Sequence, residues 1–359
     1  MWLFNSSIGK KFIMALTGIC LVLFVTFHVL MNAVAIFWPG AYNQVCLFLG
    51  ANWYALIASM GLGLLVVIHI IDAIVLTLQN RKARGNDRYA VSARPKSVEW
   101  SSQNMLVLGF VVLVFLGVHL VQFWARMQAQ EVMGTLYTVN GVEVPPAAGT
   151  LFLQLAFQNW WTPVIYIIGF IALWFHMNHG FWSMWQSIGW DNNNWLPRWK
   201  AISCWWVTIV CGLFTLQAVV FTIRANQNYY VENPALMAQY QEMIAEHMEK
   251  VNQPIIEEMQ SIQRQHQQMQ SDNSLNFMEK MQKQGELEGR FNELRAMLDQ
   301  NQAKAYENFI KIADIAKKCE PAAVCTEAAP VDDTAADAAE DEEEPIEVAE
   351  PAAEDTINE

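Results

Sequence analysis

Five long apolar stretches come first along the chain, each about the 20 residues that a helix needs to cross a bilayer. They run from about Phe12 to Trp38, Trp53 to Asn80, Ser102 to Trp124, Pro163 to Trp190 and Ala201 to Thr222. The first stops at Pro39-Gly40, and the fourth opens on Pro163 after Thr162, a favoured first helical position. No charged residue occurs between Lys11 and Asp72. Trp38, Trp53, Trp124, Trp160, Trp161, Trp190, Trp195 and Trp199 gather at the ends of the stretches, as an interfacial aromatic belt would.

After residue 225 the pattern changes. Ile244, Met248, Val251, Ile255, Met259, Ile262, His266 and Met269 recur at spacings of three and four, which predicts amphipathic helix over residues 234–318. Pro254 is expected to kink or split it. Phe291, Leu294, Leu298, Phe309, Ile312 and Ile315 form a second run. Beyond residue 319 the chain is mostly Ala, Pro, Asp and Glu, too poor in large apolar residues to pack, and is expected to be disordered. The expected fold class is all-α. It comprises a five-helix transmembrane bundle (1–224), a helical or coiled-coil extension (225–318) and a disordered acidic tail (319–359). The extension reads as an arm for assembly, dimer contact or an envelope partner. His247 and His266 read as solvated.

Charge follows the same division. Residues 1–224 carry 12 Lys/Arg and 6 Asp/Glu, whereas residues 225–359 carry 10 and 29, within an overall charge of −13. Lys10 and Lys11 precede the first stretch. Arg81, Lys82, Arg84, Arg88, Arg94 and Lys96 fill the second connection, and Arg198 and Lys200 precede the fifth stretch. The connection at 39–52 has no basic residue, and that at 125–162 only Arg126. The positive-inside rule then puts the N-terminus in the cytoplasm, and an odd number of spans puts the extension on the opposite side. The first stretch is too long for a signal-peptide core and carries a histidine, so it is expected to be retained. The six cysteines form no C-x-x-C or C-x-x-C-H motif, which gives no sign of zinc, dithiol or c-type haem chemistry. Cys20, Cys46, Cys204 and Cys211 read as small hydrophobes. Cys319 and Cys325 would pair only in an oxidising compartment.

Four histidines stand out, one in each of the first four stretches: His28, His69, His119 and His176. Ionisable side chains are costly in hydrocarbon and usually mark function there. Neutral imidazole is also the axial ligand of b-type haem, two per iron. Four such residues on four helices point to two bis-histidine haems and a transmembrane electron path. At about 1.5 Å per residue, His28 and His119 both lie to the outer side of their helix centres, His69 lies to the inner side, and His176 lies near the middle. The expected pairs are therefore His28 with His119, and His69 with His176, the second partly by elimination. His179 lies three residues after His176 on the same face and is an alternative ligand. Gly18, Gly61, Gly63, Gly117 and Gly180 would let a flat porphyrin approach the backbone. Interhelical hydrogen bonding is the competing use of these histidines, and a transporter or structural membrane protein the competing class. Asp72, one turn from His69, reads as a helix-end carboxylate or a proton carrier. Gln122 and Arg126 read as propionate or quinone contacts, or as a helix terminus.

Several stretches resemble the two-haem, five-helix cytochrome b anchor subunits of succinate dehydrogenases and fumarate reductases. They are Ser7-Ile8-Gly9-Lys10-Lys11 with Thr17-Gly18 and His28-x-x-x-Asn32, His69 near the inner end of the second helix, and His176-Met177-Asn178-His179-Gly180-Phe181-Trp182. The last is similar to the family pattern H-x-x-[NH]-G-x-[WR], whose first histidine is the ligand, so the resemblance favours His176 over His179. It covers about residues 1–224. It implies a bacterial inner-membrane subunit with two haem b groups and quinone, menaquinone by the usual pairing. Flavoprotein and iron–sulfur subunits would sit on its cytoplasmic face, and the whole complex could form a homodimer. No nucleic-acid partner is expected. The chain lacks the glycine fingerprint and the cysteine cluster needed to hold flavin or iron–sulfur itself, so activity would belong to the complex. Two features depart from the family. Trp174 occupies the place where some relatives carry a glutamate tied to proton movement, and the extension lies outside the usual family core. A hydrogenase or formate dehydrogenase cytochrome b is the neighbouring alternative.

The sidedness is testable directly. A cysteine introduced at Asn86 is expected to react with an impermeant thiol reagent in inverted vesicles and not in intact cells. The reverse result would invert the topology.

Overall fold

Helices make up nearly all of the computed structural model, which describes residues 6–84, 99–271 and 276–316. Arg88, Arg94 and Lys96 of the basic connection, Cys319, Cys325 and the acidic tail lie outside the described residues. In order, the elements are α1 (Ser7–Phe37), α2 (Pro39–Ala51), α3 (Trp53–Arg84), α4 (Trp100–Gln103), α5 (Met105–His119), α6 (Gln128–Met133), β1 (Tyr137–Val139), β2 (Val142–Val144), α7 (Gly149–Phe157), α8 (Trp161–Ile188), α9 (Trp195–Asn226), α10 (Tyr229–Glu232), α11 (Pro234–Ser271) and α12 (Phe277–Ala316). Helix α5 continues through a π-helical turn at Leu120–Trp124.

Five of these helices are long and apolar enough to cross a membrane: α1, α3, α5 with its π turn, α8 and α9. Their faces are largely apolar and uncovered, with Leu23, Ile57, Leu64, Phe110 and Ile168 all exposed. This arrangement is stable only where lipid replaces water. The chain is thus a multi-pass membrane protein. Helix α9 begins at Trp195, earlier than the apolar pattern indicated, because Trp195, Arg198, Trp199 and Lys200 are helical although they suit the membrane interface rather than its core.

The spanning helices are unevenly packed. Helix α8 is central, flanked by α1, α5 and α9, while α3 leans chiefly on α1. The backbones of α3 and α8, and those of α1 and α5, scarcely approach one another. Where α5 and α8 do meet, Gly169 leaves space for the Phe115 ring, which a methyl group at that position would strike. Polar contacts tie α9 into the bundle. Gln217 Nε2 donates to the Val29 carbonyl at 2.7 Å, Ser203 Oγ donates to the Asn178 carbonyl at 2.5 Å, and Trp206 Nε1 donates to Thr26 Oγ1 at 3.2 Å.

One end of the bundle carries a folded cap. Helices α2, α6, α7 and α10, the β-hairpin and the base of the α11–α12 pair all meet there. The hairpin turns on Asn140-Gly141, both with positive φ (50° and 81°), and pairs Tyr137 with Val144 and Val139 with Val142. This two-stranded element is the one departure from the all-α expectation among the described residues. Beside the cap, Arg224 fastens α9 to α1 by donating to the carbonyls of Ala35 and Ile36 at 2.9 and 2.8 Å, groups left unpaired at the end of α1. The opposite end carries Glu99, whose carboxylate meets Lys200 Nζ at 2.8 Å.

The extension is built into this cap. The described residues up to 316 belong to one compact unit, and the boundary expected at 224/225 falls inside α9. Tyr230, Val231, Leu236, Tyr240, Met243 and Ile244 are buried with Leu151, Phe152 and Val144. Helix α11 runs through Pro254 without being split. Its 38 residues span about 57 Å, and it pairs with α12 along the way. Val251, expected on the apolar face, is exposed, whereas Ile262, Met269, Leu294 and Ile312 are buried.

Buried tyrosines at this end stay protonated. Burial pushes the Tyr230 hydroxyl up to about 12 and raises Tyr240 as well, so both keep their protons. Tyr240→Ala is expected to destabilise the cap by about 3–5 kcal/mol, the usual cost of emptying a buried aromatic site. Limited proteolysis of α11 and α12 in detergent would show it as faster cleavage than in wild type.

Candidate functional site

The helices that lack backbone contact are joined by histidines. His28 on α1 faces His119 on α5, with ring centres 5.8 Å apart and planes at 84°. His69 on α3 faces His176 on α8, with ring centres 6.4 Å apart and planes at 65°. Two imidazoles holding one metal from opposite sides at about 2 Å each would have ring centres about 6 Å apart. His179, the alternative to His176, is turned elsewhere. Its ring stands edge-on to Trp182 at 4.8 Å, and its Nδ1 lies 3.9 Å from Glu99 Oε2.

Hydrogen bonds decide which ring nitrogen is free in two of the four. The single hydroxyl proton of Thr17 is shared between the Ile13 and Met14 carbonyls at 3.0 and 3.1 Å. Thr17 Oγ1 therefore accepts from His69 Nδ1–H at 3.0 Å, which leaves the Nε2 lone pair available. On α8 the Tyr166 hydroxyl donates to Gln122 Oε1 at 2.9 Å. Its oxygen accepts from His119 Nδ1–H at 3.2 Å, so His119 also presents Nε2. Gln122 Nε2 in turn donates to Thr162 Oγ1 at 3.2 Å, and Thr17, Gln122, Thr162 and Tyr166 are all buried. Partners of this kind, which fix a ring's tautomer and orientation, are what metal-ligating histidines need.

The other two rings are held differently. Asn32 Nδ2 lies 3.3 Å from His28 Nε2 and donates to the His28 carbonyl at 2.8 Å, so a metal at that nitrogen would displace the first contact. Tyr42 on α2 donates to Asn32 Oδ1 at 3.2 Å. His176 Nδ1 is buried without a hydrogen-bond partner among the described residues. Aromatic rings surround the His28–His119 pair. Phe24 stacks on His28 at 5.4 Å, and Phe115 and Phe123 lie 6.1 and 5.4 Å from His119. Beside Gly18, Gly61, Gly63, Gly117 and Gly180 there is open space where a Cβ would stand.

The residues fit a flat, bis-imidazole metal group. Two ring pairs have the right separation, one ring of each pair (His69 and His119) has Nε2 left free, and the neighbouring backbones are spaced apart. Among the described residues, no three or more His, Cys, Asp or Glu side chains converge as a polydentate metal site. Asp72 is buried, with Oδ2 lacking a partner. Arg126 lies over the Tyr137 ring, 5.2 Å from its centre, inside the cap. Trp174 donates from Nε1 to Thr208 Oγ1 at 2.9 Å.

Tyr166 is the site residue that sequence reasoning missed. Its signal was a hydroxyl within an apolar segment ten residues before His176, and only the fold shows that it meets His119. At the end opposite the cap Trp185 stacks on Trp199 at 4.4 Å and 14°, and Lys200 lies over the Trp182 ring, 4.4 Å from its centre. No family profile, curated protein or solved structure matches this chain.

The two pairs should separate by substitution. His176→Ala is expected to lower bound haem from two equivalents to one, and His179→Ala to leave two, both measured by pyridine haemochrome assay per chain. Loss of a haem in His179→Ala with two retained in His176→Ala would reverse the assignment.

Proposed function

We propose that this chain is the membrane-anchor subunit of a succinate:quinone oxidoreductase, carrying electrons between an iron–sulfur subunit and membrane quinone through two bis-histidine b haems. The observation that carries the reading is the pairing of His28 with His119 and His69 with His176 between helices whose backbones otherwise stay apart. Haem iron supplies one-electron chemistry when bound, and axial ligands and their hydrogen bonds set its potential.

The chain's own residues hold and shield. His28 and His119 would ligate the outer group, and His69 and His176 the inner. Thr17 and Tyr166 keep the Nδ1 protons of His69 and His119 in place, so that each ring offers Nε2. Phe24, Phe115 and Phe123 exclude water from the outer pair. The end that carries Glu99 and Lys200 is the cytoplasmic end by the positive-inside rule, where flavoprotein and iron–sulfur subunits would dock. The cap then lies on the outer side of a bacterial inner membrane, clear of those subunits. Menaquinone is the quinone that the two-haem arrangement favours, and the complex could form a homodimer through its lipid-facing helices.

A reduced-minus-oxidised optical spectrum of the purified chain tests the haem reading, with b-type bands equivalent to two haems expected. Their absence would leave a transporter or structural membrane protein. Co-purification from native membranes tests the partners. A flavoprotein and an iron–sulfur protein with succinate–quinone activity are expected, and haem without them would favour a different oxidoreductase complex.

A further inference from the structure

Asp72 is the one carboxylate in the five spanning helices. It lies three residues after His69, about one helical turn further from the cap. Helix α3 continues beyond it to Arg84, which rules out the reading of Asp72 as a helix-end residue. The residue is only 8% exposed, and its Oδ2 has no hydrogen-bond partner among the described residues. A carboxylate buried in this way is costly in a membrane, and such groups mark function there.

Three residues apart, His69 and Asp72 share one face of α3. That face meets α1. His69 Nδ1 donates to Thr17 at 3.0 Å, and Lys10, about two turns earlier on α1, is the cation whose field reaches Asp72. Helix α2, which also packs on α3, carries no charged residue. On α8 the titratable group facing this face is His176, opposite the His69 ring. Arg81, Lys82 and Arg84 lie more than two turns further along α3. The surroundings of Asp72 are thus those of α1, behind the ring at its Nδ1 side. A group bound at Nε2, toward His176, would leave them in place. Thr17 holds the Nδ1 proton of His69, so the ring itself is not free to trade it.

From this placement we infer that Asp72 is a proton-loading residue tied to the His69–His176 pair. As that site gains one electron, the Asp72 carboxylate takes up one proton from water at the Glu99–Lys200 end, and it returns the proton when the electron leaves. The inference rests on the haem reading proposed above. The electron comes from the reduced iron–sulfur cluster of the neighbouring subunit and passes on to quinone. Charge balances, because one negative charge arrives at the metal and one is neutralised at the carboxylate. Unscreened charge is expensive in a medium of low dielectric constant, and a proton taken up one helical turn away offsets it. The His28–His119 pair has no counterpart, since His119 is backed by the uncharged Tyr166 and Gln122.

The test uses the full chain in its native complex. Optical redox titrations follow the two haems across the acid-to-alkaline range in which the complex stays intact, and the single-haem His176→Ala chain identifies which is which. In wild type the reduction equilibrium of the His69–His176 haem is expected to fall about tenfold per pH unit within that range, which is 59 mV for one electron. The His28–His119 haem should stay flat. Asp72→Asn is expected to flatten the first without moving the second, and Asp72→Glu to keep the slope. Reduced-minus-oxidised infrared spectra read the proton itself. A carboxylic-acid carbonyl band should appear on reduction in wild type, shift in Asp72→Glu and vanish in Asp72→Asn. Two bound haems with the wild-type slope and band retained in Asp72→Asn would overturn the role of Asp72 and leave the haem reading intact. A flat wild-type titration without the carbonyl band would do the same, even where Asp72→Asn failed to assemble. A wild-type chain with no b-type spectrum would overturn both readings together.

Discussion

Everything in this bundle is arranged around imidazoles that cannot meet water. A histidine in hydrocarbon needs each ring nitrogen partnered, and the apolar helices around it offer only backbone groups already used within the helix. The chain meets this need for two rings by placing one hydroxyl behind each, and leaves His176 Nδ1 without a partner among the described residues. Thr17 and Tyr166 spend their protons on carbonyl oxygens, of the backbone and of Gln122, and so can only accept from the ring. That constraint fixes two tautomers without any charged residue. It also explains why polar residues in the spans are so unevenly spread. Gln122, Thr162 and Tyr166 cluster beside His119, Thr17 serves His69, and Gln217 joins α9 to α1 one residue beyond His28.

The second constraint is spacing. Helices without a hydrophobic drive between them associate through close packing and polar contacts. Close packing is used where α5 meets α8 at Gly169 and where α9 closes on α1 and α8. It is withheld between α3 and α8 and between α1 and α5, the two places where histidines face one another.

Much of this was readable from the residues, for stated reasons. A spanning helix announces itself by length and hydropathy, and a histidine within it by rarity, so the five spans and four histidines needed no fold. The sequence analysis paired the histidines by depth. Contacts between distant segments were a different matter. Nothing local to Tyr240 points to Thr150, and nothing local to Arg224 points to the end of α1. The extension therefore reads as an arm until it is folded, when its tyrosines prove to be core. Pro254 does not split α11, because packing along a long helical pair holds the helix continuous through it. The hairpin was legible and was passed over. Tyr137, Val139, Val142 and Val144 alternate about Asn140-Gly141, a strong short-range hairpin signal.

The π-helical turn after His119 has a mechanical meaning of its own. Such a turn carries one residue more than the regular helix would, and π bulges recur where a side chain must be re-aimed. Here it lies between His119 and the first residues of the cap, with Gln122 inside it. Deleting any one residue from Leu120–Trp124 would let the helix relax to its ordinary repeat. All that follows would keep nearly its present facing relative to His119, because the wide turn absorbs its extra residue within about one turn. The surplus residue thus adds a side-chain position beside His119 without changing the rotational offset between the membrane helix and the cap that it carries.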